Sequence, residues 1–365
     1  MSVVQSEPQV RRHYVRRRYV RLWLLVVAAL VFATAAAGGA TRLTGSGLSI
    51  VEWRPVTGTI PPLSENAWHA EFAKYKTIPQ YQEVNRGMSL DQFKFIYWWE
   101  WGHRLLGRLI GAAFLLPFLW FLWKGWIEPG LRLRLWAIFG LGAVQGAVGW
   151  WMVSSGLVAR LSVSQYRLAF HLTLACAIFA MLLWVAQRLK SRDTIELPLR
   201  IRFGAMLLLI LVLAQIYLGA LVAGSRAGLI YNTWPLIDGA LIPETSRLFF
   251  EQPWWRNVFE NTLMVQFNHR MLAYAIVVLA ILHVVDVART ARGGAALTGA
   301  LVLASVITLQ AGIGIVTLLH VVPLSLALTH QAMAVVTLAV AVIHAERVSP
   351  RGMPAAELAR PVLPH

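Results

Sequence analysis

The sequence predicts an all-α polytopic membrane protein with eight transmembrane helices in two parallel-repeat four-helix bundles. Three observations support this fold class: the composition, the number of long apolar runs, and an internal duplication. Of 365 residues, 58% are hydrophobic and only 14% are charged, which is far from the average of soluble domains. Because about 20 apolar residues in a helix cross the hydrocarbon core of a bilayer, the runs are long enough to span a membrane.

The first apolar run extends from Leu22 to about Ala40 and follows a strongly basic arm. It resembles a signal peptide, but it is long and the hydrophobic chain continues beyond it, so we interpret it as a retained helix. By hydropathy, the further spans cover residues 105–123, 135–153, 167–186, 203–223, 271–288, 296–319 and 325–345. We therefore expect a cytoplasmic arm at 1–21, an N-terminal half at 22–190, a C-terminal half at 191–346 and a cytoplasmic tail at 347–365.

We explain the formal net charge of +16 by the orientation of the helices in the membrane. The basic residues lie in the arm, in short loops on one predicted side and in the tail, as the positive-inside rule expects of cytoplasmic segments. They do not cluster on one domain, so we expect lipid as a partner and no nucleic acid. Both termini are predicted to be cytoplasmic. The basic arm, without a mitochondrial-type presequence, favours a bacterial inner membrane.

Two halves of the chain repeat the same motifs in the same order. EWGHRLLGR around His103 is echoed by QFNHRMLAY around His269, and His171 is echoed by His330. The stretch from Gln145 to Gly149 is likewise echoed by the stretch at 310–314. Similar spacing in the same order indicates a duplicated unit. Since each unit contains four spans, both halves enter the membrane from the same side.

The duplicated histidines predict heme sites. His103 and His269 open the second and sixth predicted spans, and His171 and His330 lie about one turn inside the fourth and eighth. All four are placed near the outer leaflet, two in each half. Two imidazoles on facing helices of a bundle suit axial ligation of a heme iron. The only cysteine, Cys176, excludes an intramolecular disulfide and a thiolate cluster.

The remaining histidines are expected to be interfacial or hydrogen-bonded residues. His283 follows His269 on the same predicted helix but lies roughly 21 Å deeper. A second layer of heme ligation at His283 stays open, although nothing at the matching position of the first half supports it.

The halves differ at Glu100, which aligns with Gln266. A carboxylate can accept a proton or stabilise positive charge, whereas an amide cannot. The first half is therefore the candidate reactive site, and the second is the candidate permanent cofactor site. The competing interpretation of Glu100 is an ion pair with Arg104 one turn along the helix. Arg104 and Arg270 are candidate partners of heme propionates, with interfacial anchoring as an equal alternative.

At these residues the sequence resembles the heme A synthase family. The resemblance rests on EWGHRLLGR, on GLIYNTWPLIDG at Gly228–Gly239, on FNHR around His269 and on THQ at Thr329–Gln331, and it covers roughly Leu22–Ala345. The segment Thr41–Gly102 contains no cysteine pair. In this respect the chain is similar to the proteobacterial and mitochondrial branch.

The resemblance implies oxidation of the C8 methyl of heme O to a formyl group, which yields heme A for terminal cytochrome oxidases. It implies that His103 and His171 ligate the substrate heme, that His269 and His330 ligate a resident heme b, and that Glu100 is the catalytic carboxylate. A heme O synthase and an electron donor are implied partners, and a homo-oligomer is left open. A two-heme b-type electron-transfer cytochrome and a heme transporter or chaperone remain the alternatives.

Overall fold

The computed structural model describes residues 7–291 and 293–351, and the side chains from Tyr14 onward. Much of the predicted tail and the start of the basic arm lie outside the described residues. In the described part, eight helices are long and apolar enough to cross a membrane, which confirms the predicted polytopic α-helical class. These eight helices are α1 (Glu7–Leu43), α3 (Leu90–Trp123), α4 (Pro129–Ser154), α5 (Gln165–Arg188), α6 (Leu199–Ser225), α9 (Thr262–Ala291), α10 (Gly294–Leu319) and α11 (Leu324–Val348).

The two long connecting segments contain the short helices. The segment between α1 and α3 contains α2 (Glu65–Tyr75), which packs on α3. The segment between α6 and α9 contains α7 (Ala227–Ile230) and α8 (Thr245–Leu248), and both contact α9. These segments therefore fold back onto the helices that contain the motif histidines His103 and His269.

The predicted start of the second span is too late. Helix α3 begins at Leu90, where Ser89 and Gln92 form a reciprocal capping box, a strong helix start. Hydropathy placed the start at 105 because Asp91, Lys94 and Glu100 interrupt the apolar run. His103 consequently lies well inside α3, and His269 lies inside α9, so neither opens its helix.

Helices α1, α3, α4 and α5 pack as neighbours in the N-terminal half, and α6, α9, α10 and α11 pack as neighbours in the C-terminal half. Helices α1 and α5 meet α6 and α11 between the halves. One large apolar cluster runs through helices of both halves. The parallel-repeat relation and the boundaries at 22–190 and 191–346 stay predictions.

A buried carboxylate ties the connection between the halves to the end of α11. Glu346 is fully buried and pairs with three guanidinium groups. Arg188 ends α5, Arg192 lies in the connection before α6, and Arg351 follows α11. Because each guanidinium is on a different stretch of chain, the cluster fixes where these stretches meet.

Candidate functional site

Each of the four motif histidines lies against a glycine of a neighbouring helix. The contact is so close that even a methyl group on the glycine would meet Cε1 of the imidazole ring at 3.1 Å or less. Each imidazole ring can therefore occupy its position only because the facing residue is a glycine. The pairs, with the distance from the added methyl carbon to Cε1, are Gly38 and His103 at 2.7 Å, Gly149 and His171 at 2.9 Å, Gly219 and His269 at 3.1 Å, and Gly314 and His330 at 2.7 Å.

Three of these glycines follow a glutamine by four residues, one helical turn earlier. Each glutamine donates its side-chain Nε2–H to the backbone carbonyl of the histidine that its glycine faces. In the fourth case the equivalent position in α1 is Thr34. The Nε2-to-oxygen distances are 3.0 Å from Gln145 to His171, 2.9 Å from Gln215 to His269 and 3.0 Å from Gln310 to His330.

The histidines fit the requirements of heme ligation. The Nδ1 atoms of His103 and His171 are buried and have no hydrogen-bond partner among the described residues. His103 of α3 faces α1 and His171 of α5 faces α4, while His269 of α9 faces α6 and His330 of α11 faces α10, so each pair belongs to one group of four neighbouring helices. No group of three or more His, Cys, Asp or Glu side chains in the described part could hold a bare metal ion. Paired imidazoles suit a heme, since the porphyrin supplies the other ligands.

Glu100 is buried, with 2% of its surface exposed, and its carboxylate accepts four hydrogen bonds. Oε2 accepts from the Ser49 hydroxyl at 2.7 Å and from the Ile50 N–H at 2.9 Å. Oε1 accepts from Nη2 and Nε of Arg104 at 2.6 and 3.1 Å. The ion pair considered from the sequence is therefore present. Glu100 also fastens the segment after α1 onto α3.

Arg104 also holds the segment after α1 against α3. Its Nη2 donates to the carbonyl of Ile50 at 2.7 Å, and its Nη1 donates to the carbonyl of Glu52 at 3.0 Å. The guanidinium also lies over the ring of Trp150, 5.7 Å from the centroid. Four of its donor contacts are thus directed at protein oxygens.

In the second half, an amide and a guanidinium of α9 hold the connecting segment between α6 and α9. Gln266 donates to the carbonyl of Tyr231 at 3.3 Å. Arg270 donates to the same carbonyl at 3.1 Å and to that of Leu236 at 3.3 Å. Arg270 is 6% exposed, and its Nε has no partner among the described residues. In each half, two side chains of one helix therefore hold a connecting segment, but only the pair in the first half contains a carboxylate.

Several contributors were not recognised from the sequence. Gly38, Gly219 and Gln215 were missed, although Gln215 to Gly219 repeats the glutamine-to-glycine spacing found at 145–149 and 310–314. That spacing was a usable signal. Ser49 had none, because its contact with Glu100 joins residues 51 positions apart through the fold of a connecting segment.

Comparison with known proteins identifies the family of the chain. Residues 21–342 match the model of the COX15-CtaA family, described as cytochrome oxidase assembly protein. The chain is 60% identical to the heme A synthase of Rhodopseudomonas palustris strain BisA53, over 92% of both chains. It is also 60% identical to that of Bradyrhizobium diazoefficiens over 92% of both, and 62% identical to that of R. palustris strain BisB18 over 91% of both.

The match at residues 21–342 spans nearly all of the membrane helices. The resemblance seen in the sequence is thereby confirmed. The chain belongs to the COX15-CtaA family of cytochrome oxidase assembly proteins.

Proposed function

We propose that this multi-pass membrane protein is an oxidoreductase that converts the C8 methyl group of heme O to a formyl group, producing heme A. Support comes from relatives at about 60% identity that are named heme A synthase. The observation that bears most directly on the chemistry is the buried carboxylate of Glu100, beside one histidine pair and replaced by an amide beside the other.

In this proposal His103 and His171 bind the iron of the substrate heme and fix the orientation of its ring. Gly38 and Gly149 set the positions of the two imidazoles through close contact. His269 and His330 hold a resident heme b, which supplies one-electron redox chemistry when bound. The same proposal places the protein in a bacterial inner membrane with both chain termini in the cytoplasm. It also includes a separate electron donor and the delivery of heme O by a heme O synthase.

The conversion replaces two hydrogens of the methyl carbon with one oxygen and removes four electrons from it, so protons must be accepted near that carbon. Among the described residues of the first half, Glu100 is the buried carboxylate, and Arg104 is paired with its Oε1. A proton would be accepted at Oε2, which is contacted by the Ser49 hydroxyl and the Ile50 N–H and not by Arg104. Arg104 is then a positioning residue, and its role toward a propionate stays a prediction.

The test is Glu100→Gln, with Ser49→Ala as the matched variant. Ser49→Ala loosens the same connecting segment but keeps the carboxylate and its ion pair. We expect Glu100→Gln to retain bound heme and to stop or stall conversion, while Ser49→Ala continues to form heme A. The readout is mass analysis of pigments extracted from membranes that also contain a heme O synthase.

Two outcomes count against the proposal. A normal yield of heme A from Glu100→Gln removes this carboxylate from the reaction. Heme b alone in the wild-type extract, with no heme O, hydroxylated or formylated derivative, favours an electron carrier of the cytochrome b type.

A further inference from the structure

A second pair of histidines lies in the C-terminal half, at the opposite end of the helices that present His269 and His330. His283 of α9 and His344 of α11 are buried, with their Nε2 atoms 2.8 Å apart and their ring centroids 5.1 Å apart. Each follows a motif histidine of its own helix by 14 residues. At 1.5 Å per residue, the two pairs are about 21 Å apart along the helices.

The second pair also repeats the glycine contacts of the first. A methyl group at Gly204 of α6 would lie 2.8 Å from Nδ1 of His283, and one at Gly299 of α10 would lie 2.6 Å from Nδ1 of His344. Each of these glycines precedes the glycine of the motif site, Gly219 or Gly314, by 15 residues. The same four helices therefore present two layers of histidine against glycine.

The N-terminal half has no such second layer. The positions 14 residues after its motif histidines are Pro117 and Val185, and the position 15 residues before Gly38 is Trp23. The Trp23 ring is buried against Phe114 and Phe118, with centroids 5.0 and 6.2 Å away. The fourth equivalent position, 15 residues before Gly149, is Arg134. None of the four is a histidine or a glycine, so the second histidine pair is particular to the C-terminal half.

One Nε2–H donates to the other Nε2. That single hydrogen bond does not require the facing glycines or the 14-residue spacing that this pair shares with the motif histidines. Metal–imidazole bonds of about 2 Å place two opposed nitrogens about 4 Å apart, so a separation of the rings by roughly 1 Å would admit a metal between them.

The number of available protein ligands indicates which kind of metal centre this pair could form. A zinc site requires three or four protein ligands, and no group of three His, Cys, Asp or Glu side chains occurs in the described part of the chain. A heme requires only two axial ligands. The neighbouring buried side chains are apolar, which suits an apolar macrocycle. They include Ile201, Ala205, Ala300 and Val348.

We propose that His283 and His344 are the axial ligands of an additional b-type heme in the C-terminal half. This site is separate from the two histidine pairs of the proposed reaction. It concerns heme binding alone, so its test does not depend on heme A formation.

The experiment counts heme b per full-length chain, purified in detergent after supply of hemin, by the pyridine hemochrome spectrum and amino-acid analysis. We expect His344→Ala to lose about one heme per chain relative to wild type. The control His320→Ala removes an exposed histidine at the end of α10 and should lose none. Equal heme content in the two variants overturns the proposal, as does loss of bound copper or zinc with heme content unchanged.

A second variant keeps the test decisive if His344→Ala does not fold. His283→Met retains an axial ligand, and methionine–histidine ligation raises the potential of a heme. We expect one heme of this variant to titrate at a higher midpoint potential while the others keep theirs. A redox titration identical to that of wild type contradicts the assignment.

Discussion

Gly314 offers a direct test of the proposed site for a resident heme. Its replacement by alanine would place a methyl carbon 2.7 Å from Cε1 of His330, whereas ordinary contact begins at 3.4 Å. The ring must therefore retreat by about 0.7 Å, more than the roughly 0.5 Å within which a metal-binding geometry must be held. Disturbing the support of a ligand typically costs 10–100-fold in affinity. We expect Gly314→Ala to bind heme b about 10–100-fold more weakly.

The matched control is Gly312→Ala, two residues earlier on α10, where an added methyl group meets nothing within 4 Å. Alanine in place of glycine inside a helix gains about 0.5–1 kcal/mol, so this variant should be at least as stable as wild type and retain its heme. The assay is a titration of the purified, heme-depleted proteins with hemin, followed by the Soret band. Equal affinity in the two variants would refute the inference that Gly314 positions His330.

Three further expectations follow from described contacts. Gly149→Ala, with a methyl group 2.9 Å from the His171 ring, should weaken heme O binding, while Gly146→Ala, with no neighbour within 4 Å, should not; equal hemin or heme O affinity in both contradicts this. Tyr166→Phe removes a hydrogen bond to Glu260 across the two halves and should cost roughly 1 kcal/mol of stability, measured by thermal unfolding; an unchanged Tm contradicts it. Hydrogen bonds from Arg256, and to a lesser extent from Tyr166, lower the pKa of Glu260 below 4.5. The ionised Glu260 carboxylate therefore stabilises the fold at neutral pH, and this stabilisation is lost as the pH falls through the lowered pKa. A destabilisation by Tyr166→Phe that persists fully at low pH would contradict this.

The helices were predictable because a bilayer imposes a length and an apolar composition on every crossing. Their ends were less so. Helix α3 extends to Leu90 because a capping box starts it there, and hydropathy does not register a capping box. The division into halves rested on repeated motifs, which record duplication but not the contacts between halves, such as that of Tyr166 with Glu260.

The histidines were predictable because duplication marked them twice, and the glutamine-to-glycine spacing marked some of their supports. Contacts made by connecting segments were not, since Ser49 and Glu100 meet only after the segment has folded onto α3. The pairing of His283 with His344 was also missed. Their separation of 61 residues and the absence of a counterpart in the first half left each as an isolated histidine in the sequence.

The difference between Glu100 and Gln266 also changes the charge that each half presents. Arg104 is paired with Glu100, so its charge is neutralised where it lies. Arg270 is buried beside an amide, forms no ion pair with a carboxylate in the described part of the chain, and has an Nε without a partner there. We therefore predict that a heme propionate would gain more at Arg270 than at Arg104, because a buried uncompensated guanidinium gains most from a carboxylate. Under the proposed function, stronger retention in the second half fits a resident heme, and the neutralised pair at Arg104 fits a substrate heme that leaves after its conversion.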